Sequence, residues 1–188
     1  MKLAGTIVKN EIHDKIKEIE KEYGIEFSNT QKVLITVEGS ITNLLDVLYG
    51  TVSIFSLSRH IEKADGEKAE LVNIDEGDEI NYREVIIHRG GRPLIYAKSY
   101  IALNKLTPEM HDDYMQGYLP IGKILKKHKI ESRREIKKIY IEKPTATLKE
   151  LFKTSEDFVS REYVIIENKD ILMWTKESFP VSYFSAKM

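Results

Sequence analysis

Two charged residues lie where the sequence otherwise predicts an apolar sheet surface, and both are of types that bind or activate carboxylic acids. Arg83 belongs to the run from Tyr82 to Lys105. Side chains alternate between the two faces of a strand, so Arg83 shares a face with Val85 and Ile87. A guanidinium keeps its proton inside a protein, so a buried Arg83 requires an anionic partner. That partner is either a side chain of the protein or a ligand.

The second charged residue is Glu177, in the run from Ile171 to Pro180. Counting by two from Ile171 places Met173, Thr175 and Glu177 on one face of a strand. If that face is inward, an arginine and a carboxylic acid meet on one apolar surface. Such a pair is either a buried salt bridge that joins two strands or part of a binding site, because both produce the same pattern.

Hairpins are the main structural signal around these two residues. The pair Gly90-Gly91 supplies the positive φ values of a tight turn and lies between two apolar, β-branched runs. A final hairpin is predicted from strands at 163–166 and 171–174, joined through 168–170. Strands here follow one another through hairpins more often than through helices. The prediction is therefore an α+β fold with one antiparallel sheet.

The remaining elements follow from periodicity and capping residues. Helices are predicted at Lys9 to Tyr23, after Gly39-Ser40 up to Gly50, at Thr107 to Gln116, after Pro120, and after Thr147 to about Lys153. Strands are predicted at Lys32 to Glu38, Val52 to Leu57 and Ile136 to Ile141, and the acidic stretch Glu62 to Asp78 is predicted to be a loop with a short extended piece.

Composition predicts one cytoplasmic domain over residues 1–188, with residues 1–31 as an N-terminal helical extension. There is no cysteine, which removes disulfides and thiolate chemistry. The chain has 29 basic and 30 acidic residues, so its overall field favours neither nucleic acid nor an anionic metabolite. No apolar run is long enough to span a membrane, and the N-terminus is too short in apolar residues for a signal peptide. We expect a monomer or a weak homo-oligomer.

Three motifs that suggest chemistry fail in their details. The segment from Gly117 to Lys123 fits G-x-x-x-x-G-K, but Ile124 follows where a phosphate loop needs Ser or Thr. What remains is a helix N-terminus after Pro120, whose Ile121 and Gly122 N–H groups can meet a carboxylate. The five histidines lack the spacing of metal ligands. The basic run 123–143 is interrupted by glutamates, which indicates a solvated face rather than a nucleic-acid site.

Four segments in order resemble the chorismate pyruvate-lyase family, especially its archaeal and mycobacterial branch. They are E-G-S-I-T-N-L-L (38–45), Y-R-E-V with its hairpin (82–94), P-I-G-K-I-L with R-R-E-I (120–136), and T-K-E-S-F-P (175–180). The resemblance runs from about Val33 to Phe184. It implies an antiparallel sheet of about six strands, with helices that cover an enclosed ligand cavity.

The resemblance also implies roles for individual residues. Arg83 matches the arginine that binds the aromatic carboxylate, and Glu177 matches the essential acidic residue. The backbone N–H groups of Ile41 and Ile121 match positions that also meet this ligand. Lys98 falls where bacterial members tend to have a second arginine, which receives the pyruvyl carboxylate. An ammonium group cannot grip a carboxylate with two parallel hydrogen bonds, so this departure bears on the choice of substrate.

The implied reaction converts chorismate to 4-hydroxybenzoate and pyruvate without a cofactor. Arg83 would fix the ring carboxylate, and Glu177 would act as general acid near the ether oxygen. One alternative is a binding module for small acids, because effector-sensing domains of some bacterial transcription regulators resemble the same fold. Another is a lyase or synthase that acts on a different cyclohexadienyl or aromatic carboxylic acid.

Overall fold

The computed structural model describes residues 9–116 and 121–185. The elements in chain order are α1 (Lys9–Tyr23), α2 (Asn29–Thr36), α3 (Ile41–Tyr49), β1 (Ser53–Lys63), α4 (Gly66–Val72), β2 (Glu79–Arg89), β3 (Arg92–Ala102), a 3₁₀ turn (Leu103–Lys105), α5 (Pro108–Gln116), α6 (Ile121–Lys127), β4 (Arg133–Glu142), α7 (Ala146–Phe152), β5 (Phe158–Glu167) and β6 (Asp170–Pro180).

The six strands form one antiparallel sheet in the order β1-β2-β3-β6-β5-β4. Hairpins join β2 to β3 and β5 to β6, and the two hairpins meet where β3 pairs with β6. Asn168 and Lys169 turn the second hairpin with φ values of 49° and 86°. The predicted α+β class and the six-stranded antiparallel sheet are confirmed.

The β2–β3 hairpin contains one irregularity that decides which side chains face the same way. Gly90 and Gly91 form the turn with φ values of 54° and 81°. The pairing shifts by one residue between Ile87 and His88, so that Arg83 pairs with Ser99 instead of Lys98. A bulge of one residue moves every later side chain of that strand to the other face of the sheet.

The inner face of the sheet carries the main core. We call inner the face of Arg83, Val85 and Ile87, and outer the opposite face. Inner residues such as Ile165 and Met173 are fully buried and share a core with residues of α1, α2, α3, α5 and α6. The outer face is covered at two places, by α4 and by α7.

The N-terminal helix belongs to this core. The predicted bounds of α1 are confirmed, and its Ile12, Ile16 and Ile19 are 8%, 6% and 2% exposed. Burial of these three side chains attaches α1 to the inner layer of helices.

The predicted strand at Lys32 to Glu38 is wrong, because this segment is helix α2 up to Thr36. Ser28 accepts a hydrogen bond from the Gln31 N–H at 3.1 Å, and the Gln31 side chain accepts one from the Ser28 N–H at 2.8 Å. This capping box satisfies two backbone donors at the helix start and outweighs the β-branched composition of the run. Burial of one side of the helix then fixes it to the core.

The predicted loop from Glu62 to Asp78 is also wrong. Strand β1 extends to Lys63, and α4 begins after Asp65, whose side chain accepts a hydrogen bond from the Lys68 N–H. Similarly, α7 begins two residues earlier than predicted, because Thr145 rather than Thr147 caps it. The bounds of α3 and α5 agree with the sequence prediction.

The first part of the G-x-x-x-x-G-K segment, residues 117–120, lies outside the described residues. Helix α6 begins at Ile121, and its Ile124 and Leu125 are buried as predicted. Over the part of the chain that the structure describes, no helix combines the length and apolarity that a membrane crossing requires.

Candidate functional site

Two neighbouring rows of side chains cross the inner face and bring the predicted site residues together. In the first row, Arg83 pairs with Ser99, which pairs with Thr175, which pairs with Tyr163. In the second row, Val85 pairs with Ala97, Ala97 with Glu177, and Glu177 with Arg161. Arg83 and Glu177 therefore lie on the same face, as the alternation of the two strands predicts.

A small cavity lies over these rows and reaches the start of α3. Its volume is about 50 Å³, and Arg83, Arg134 and Glu177 are the charged residues that line it among those the structure describes. The other lining residues are polar or apolar: Ser40, Ile41, Thr42, Ile54, Val85, Ile87, Ala97, Ser99, Tyr163 and Thr175. The lining thus combines apolar side chains with two guanidinium groups and one carboxylate.

Glu177 is held on two sides by side chains of β5. Arg161 Nε and Nη2 lie 2.8 Å and 2.7 Å from Glu177 Oε2, and the Tyr163 hydroxyl donates to Oε1 at 3.1 Å. Arg161 is 2% exposed and Glu177 is 5% exposed. Two ions so deeply buried are tolerated only when they are paired and hydrogen-bonded, and here both conditions hold.

Arg161 also ties the site to the helical layer. Its Nη1 donates to the Val37 carbonyl at 2.7 Å, directly after α2. Glu177 therefore forms its ion pair with Arg161, whereas the sequence analysis considered a pair with Arg83. Burial and then the Glu177 charge raise the pKa of the Tyr163 phenol, so Tyr163 stays a hydrogen-bond donor at neutral pH.

Arg83 is 4% exposed and faces a second cation across the strands. Arg59 of β1 is its partner in the register of β1 and β2. Burial and then the positive charge of Arg59 lower the pKa of Arg83. A guanidinium nevertheless stays charged at any physiological pH. The local field around Arg83 is therefore positive and favours the binding of an anion.

The start of α3 forms another wall of the cavity. Ser40 caps this nine-residue helix, and Ser40, Ile41 and Thr42 all line the cavity. The N–H groups in the first turn of a helix have no partner within the helix, and they carry the positive end of its dipole. The predicted Ile41 N–H therefore belongs to a helix start that lines the cavity.

Two predicted residues belong to the first turn of α6. Ile121 and Gly122 begin this helix, as the sequence indicates. Their contact with the ligand stays a prediction.

Lys98 does not share this cavity. It lies on the outer face with Tyr96 and Tyr100, where its Nζ sits 5.3 Å from the Tyr82 ring centroid and 5.2 Å from that of Tyr100. The expectation that Lys98 meets the same ligand as Arg83 and Glu177 is therefore wrong in this geometry. The physical reason is the bulge in the β2–β3 hairpin, without which Lys98 would pair with Arg83.

Sequence reasoning missed Arg161, Tyr163 and Arg134. Arg83 was singled out because it shares a strand face with apolar residues two positions away. The same pattern holds for Arg161 in β5, where Val159 and Tyr163 lie two residues to either side. Arg134 was assigned to a solvated basic face because eight other Lys and Arg residues surround it in the run 123–143. In the structure its side chain lines the cavity.

The volume of the cavity limits what it holds in this conformation. A water molecule occupies about 30 Å³ of liquid, whereas a cavity of about 150 Å³ accommodates benzene. An aromatic acid therefore enters only if the cavity expands. Among the residues that the structure describes, no group of three or more His, Asp or Glu side chains is arranged to hold a metal ion.

Comparison with known proteins identifies a family and a fold. The model of the Rv2949c-like chorismate pyruvate-lyase family matches residues 35–186. A protein of Methanocaldococcus jannaschii named "Putative lyase MJ0807" is 34% identical over 177 residues, which cover 90% of this chain and 87% of that protein.

Two solved structures share the fold at low identity. The C-terminal domain of the histidine utilization repressor from Pseudomonas syringae has a TM-score of 0.58 and 11% identity, with 73% of this chain and 96% of that chain covered. The effector domain of PhnF from Mycobacterium smegmatis has a TM-score of 0.58 and 13% identity, with 77% and 89% covered. At these identities the likeness establishes the fold alone.

Proposed function

The chain belongs to the Rv2949c-like chorismate pyruvate-lyase family, and we propose that it eliminates pyruvate from chorismate to give 4-hydroxybenzoate. One observation carries this proposal. Arg83 and Glu177 line the same cavity from different strands, and Arg161 and Tyr163 hold Glu177 in place. A buried, oriented carboxylate next to a buried arginine is the arrangement that binding and proton transfer to a carboxylic acid require.

The reaction needs little help beyond orientation and charge stabilisation. The bond between ring C3 and the ether oxygen breaks, C4 loses a proton, and the ring becomes aromatic. The departing enolpyruvate gains a proton at its methylene carbon and becomes pyruvate. The substrate thus supplies much of the driving force, and the protein lowers the barrier by holding one conformation and stabilising the negative oxygen.

Arg83 and the α3 start would bind the ring carboxylate at one end of the cavity. The Ile41 N–H and the guanidinium of Arg83 both favour negative charge there. The Ile121 and Gly122 N–H groups, which begin α6, would add donors to the same ligand. This fixes the ring and points its reacting carbons toward Glu177.

Glu177 would handle the proton. The family resemblance implies that Glu177 acts as general acid at the ether oxygen. In the structure its carboxylate accepts hydrogen bonds from Arg161 and Tyr163, which fix its orientation in the cavity. A charged Glu177 suits acceptance of the C4 proton, and the same group, once protonated, can return that proton to the enolpyruvyl part.

A second candidate function is a small-acid sensor without catalysis. The solved structures with this fold include an effector domain and the C-terminal domain of a repressor, and an enclosed cavity of this kind serves binding as well as chemistry. A third candidate is a lyase that acts on another cyclohexadienyl acid.

One assay separates these candidates. Purified protein is mixed with chorismate, and 4-hydroxybenzoate is followed by its absorbance while pyruvate is measured with a coupled enzyme. Equal release of both products supports the lyase. Binding of 4-hydroxybenzoate without turnover supports the sensor, and absence of both points to a different acid.

The role of Arg83 gives a separate test by substitution. Arg83→Ala is expected to weaken 4-hydroxybenzoate binding by about 2 to 5 kcal/mol, because it removes one partner of a buried charge pair. Calorimetry measures the affinity, and Arg89→Ala, at the exposed end of the same strand, is the matched control. Unchanged affinity in a folded Arg83→Ala protein would make Arg83 a structural residue.

A further inference from the structure

The outer face of the sheet carries a groove that the proposed reaction does not use. It lies between α4 and α7 and has a volume of about 490 Å³, and we call it the outer groove. Leu71 and Leu148 line it from the two helices, and Lys98, Tyr100, Trp174 and Lys176 line it from strands β3 and β6. Pockets that hold small organic molecules have volumes of about 300 to 1,000 Å³. The outer groove therefore has room for such a molecule without a change of the fold.

Aromatic side chains form one row across the sheet at this groove. Tyr82 of β2 pairs with Tyr100 of β3, and Tyr100 pairs with Trp174 of β6. The rings of Tyr100 and Trp174 are stacked, with their centroids 5.1 Å apart and an angle of 17° between their planes. Trp174 is 6% exposed, and its Nε1 is buried with no acceptor among the described residues. Aromatic surface of this kind favours contact with another planar, apolar molecule.

The neighbouring row of the outer face is charged. From β2 to β4 it consists of Glu84, Lys98, Lys176, Glu162 and Lys138, each of which pairs with the next across adjacent strands. Lys98 and Lys176 therefore lie directly opposite each other on β3 and β6. Like charges at such a position repel each other. An anion beside the two ammonium groups would relieve this repulsion.

One ammonium group of this pair lacks an acidic partner. Lys176 Nζ lies 2.6 Å from Glu142 Oε2. Lys98, in contrast, forms no ion pair with a residue that the structure describes, and its Nζ lies over two tyrosine rings. Glu84, its neighbour in β2, already accepts hydrogen bonds from two tyrosine hydroxyls at 2.6 Å each. A positive charge next to the aromatic row is thus left for one negative charge of a ligand.

We propose that the outer groove binds a planar aromatic molecule with a single anionic group, in which Lys98 pairs with the anionic group and the Tyr100–Trp174 pair contacts the ring. The site is separate from the Arg83 cavity, because it lies on the opposite face of the sheet. The inference therefore goes beyond the proposed function, and it does not depend on lyase activity.

The probe for this site is naphthalene-2-carboxylate, and naphthalene-2-carboxamide is its uncharged counterpart. Two fused rings do not fit the inner cavity of about 50 Å³, since benzene alone needs about 150 Å³, whereas the outer groove has room for them. Calorimetry measures the affinity for both molecules. The acid should bind to the parent protein about 10-fold more tightly than the amide, because only the acid pairs with an ammonium group.

Trp174 shows where the probe binds. It is the one tryptophan of the sequence, so the protein has a single indole N–H resonance. This resonance should shift during a titration with naphthalene-2-carboxylate, over the same concentration range as the heat signal, because the naphthalene ring lies close to the indole. A probe that binds without moving the indole resonance lies elsewhere and overturns the site.

Substitution of Lys98 tests the charge pair. Lys98→Met should weaken binding of the acid about 10-fold and leave binding of the amide unchanged, so that the preference for the acid is lost. Lys15→Met is the matched control, because Lys15 lies on α1 at 38% exposure and pairs with Glu18. It should change neither affinity. Arg83→Ala should also leave both affinities unchanged, since Arg83 lies on the inner face.

A second variant tests the groove itself and keeps the test informative if Lys98→Met alters the fold. Thr147 is an exposed residue of α7 that lines the outer groove. Thr147→Tyr should narrow the groove and weaken binding of the acid and of the amide alike, at unchanged melting temperature. Unchanged affinity for both molecules in this variant would overturn the outer groove as the binding site.

The remaining outcomes are equally decisive. Absence of binding by the acid at millimolar concentration, or equal affinity for acid and amide in the parent protein, overturns the inference. Affinity that falls in the Arg83→Ala protein but not in the Lys98→Met protein would place the probe on the inner face and overturn it as well. None of these results bears on turnover of chorismate, so the outer site and the lyase proposal fail separately.

Discussion

The two faces of the one sheet bury charge in opposite ways. On the outer face, carboxylates accept hydrogen bonds from the protein itself: Tyr82 and Tyr96 both donate to Glu84 at 2.6 Å, and Tyr140 donates to Glu162 at 2.7 Å. On the inner face, guanidinium groups outnumber carboxylates, and Arg134, Tyr114 and Thr175 have buried polar atoms with no partner among the described residues.

The volumes of the two concavities favour the opposite face from the one that the polar groups favour. The outer groove, between α4 and α7, has a volume of about 490 Å³, and the inner cavity has about 50 Å³. Volume alone would assign the ligand to the outer groove. Most polar groups there bond to one another, and the Trp174 Nε1 is the buried exception, with no acceptor among the described residues. The inner cavity combines several such buried donors with more guanidinium groups than carboxylates. We therefore expect the ligand of the proposed reaction at the inner cavity, because buried donors without acceptors call for a partner.

The largest expected difference between the faces is in stability. Arg161→Met should lower the free energy of unfolding by about 3 to 5 kcal/mol, because it leaves the Glu177 carboxylate buried without its cation. Lys176→Met on the outer face should cost at most about 1 kcal/mol. Lys176 and its partner Glu142 are 20% and 25% exposed, and water solvates the carboxylate that remains.

Urea denaturation followed by circular dichroism measures both variants. The double substitution of Arg161 to Met and Glu177 to Met removes both charges at once and is expected to recover much of the loss. Equal costs for Arg161→Met and Lys176→Met would show that the two faces do not differ in their electrostatics.

Turnover is expected to show the next largest difference. Glu177→Gln should reduce turnover of chorismate about 100-fold or more, because the amide keeps the shape but cannot exchange a proton. Glu142→Gln, which changes a carboxylate of the outer face, should leave turnover unchanged. The measurement is the steady-state rate of 4-hydroxybenzoate release. Product affinity, measured by calorimetry, shows whether the site of the Glu177→Gln protein is intact.

Much of this architecture follows from local signals in the sequence. Gly90-Gly91 predicts the hairpin, the spacing of Ile12, Ile16 and Ile19 predicts α1, and alternation places Arg83 on the face of Val85 and Ile87. For Glu177 alternation left both faces open, and the structure places it on the face of Arg83. These features depend on neighbours in the chain and on period, and such information is present in one sequence.

The sequence predictions fail where tertiary contacts or strand register determine the structure. The run Lys32 to Glu38 has strand composition, but the Ser28 cap and burial of Leu34 and Ile35 make it helical. The bulge at Leu94, next to the pair of Ile87 and Ile95, puts Lys98 on the face opposite Arg83, and composition contains no signal for a single inserted residue. Arg134 lies in a basic run, so its inward direction depends on strand pairing that the sequence alone does not reveal.

A smaller effect is expected in the pH dependence of stability, through the hydrogen bonds to Glu84 on the outer face. Burial and then the hydrogen bond to Glu84 raise the pKa of Tyr96. The folded protein therefore holds this proton more tightly than the unfolded chain, whose tyrosines titrate near 10. The contribution of Tyr96 to stability is fully present below about pH 10 and falls as the pH rises beyond it, by about 1.4 kcal/mol per pH unit.

Denaturation between pH 9 and 11.5 measures this slope. Tyr96→Phe should make the decline of stability above pH 10 shallower by about one proton. Tyr23→Phe is the control for loss of one phenol, because Tyr23 is 44% exposed on α1. If the slope of stability against pH is the same in the Tyr96→Phe protein, the hydrogen bond to Glu84 does not raise the pKa of Tyr96.

The smallest expected effect concerns Lys98, for which the sequence resemblance and the structure disagree. As a receiver of the enolpyruvyl carboxylate, Lys98 would raise the KM for chorismate when changed to Ala. On the outer face its ammonium contacts the rings of Tyr82 and Tyr100, so Lys98→Ala should change KM and 4-hydroxybenzoate affinity less than about 2-fold. Without a ligand in the outer groove, the loss should appear only in stability, at about 0.5 to 1 kcal/mol for an exposed cation–π contact. A KM that rises for Lys98→Ala but not for Arg83→Ala would reverse the assignment of the two faces.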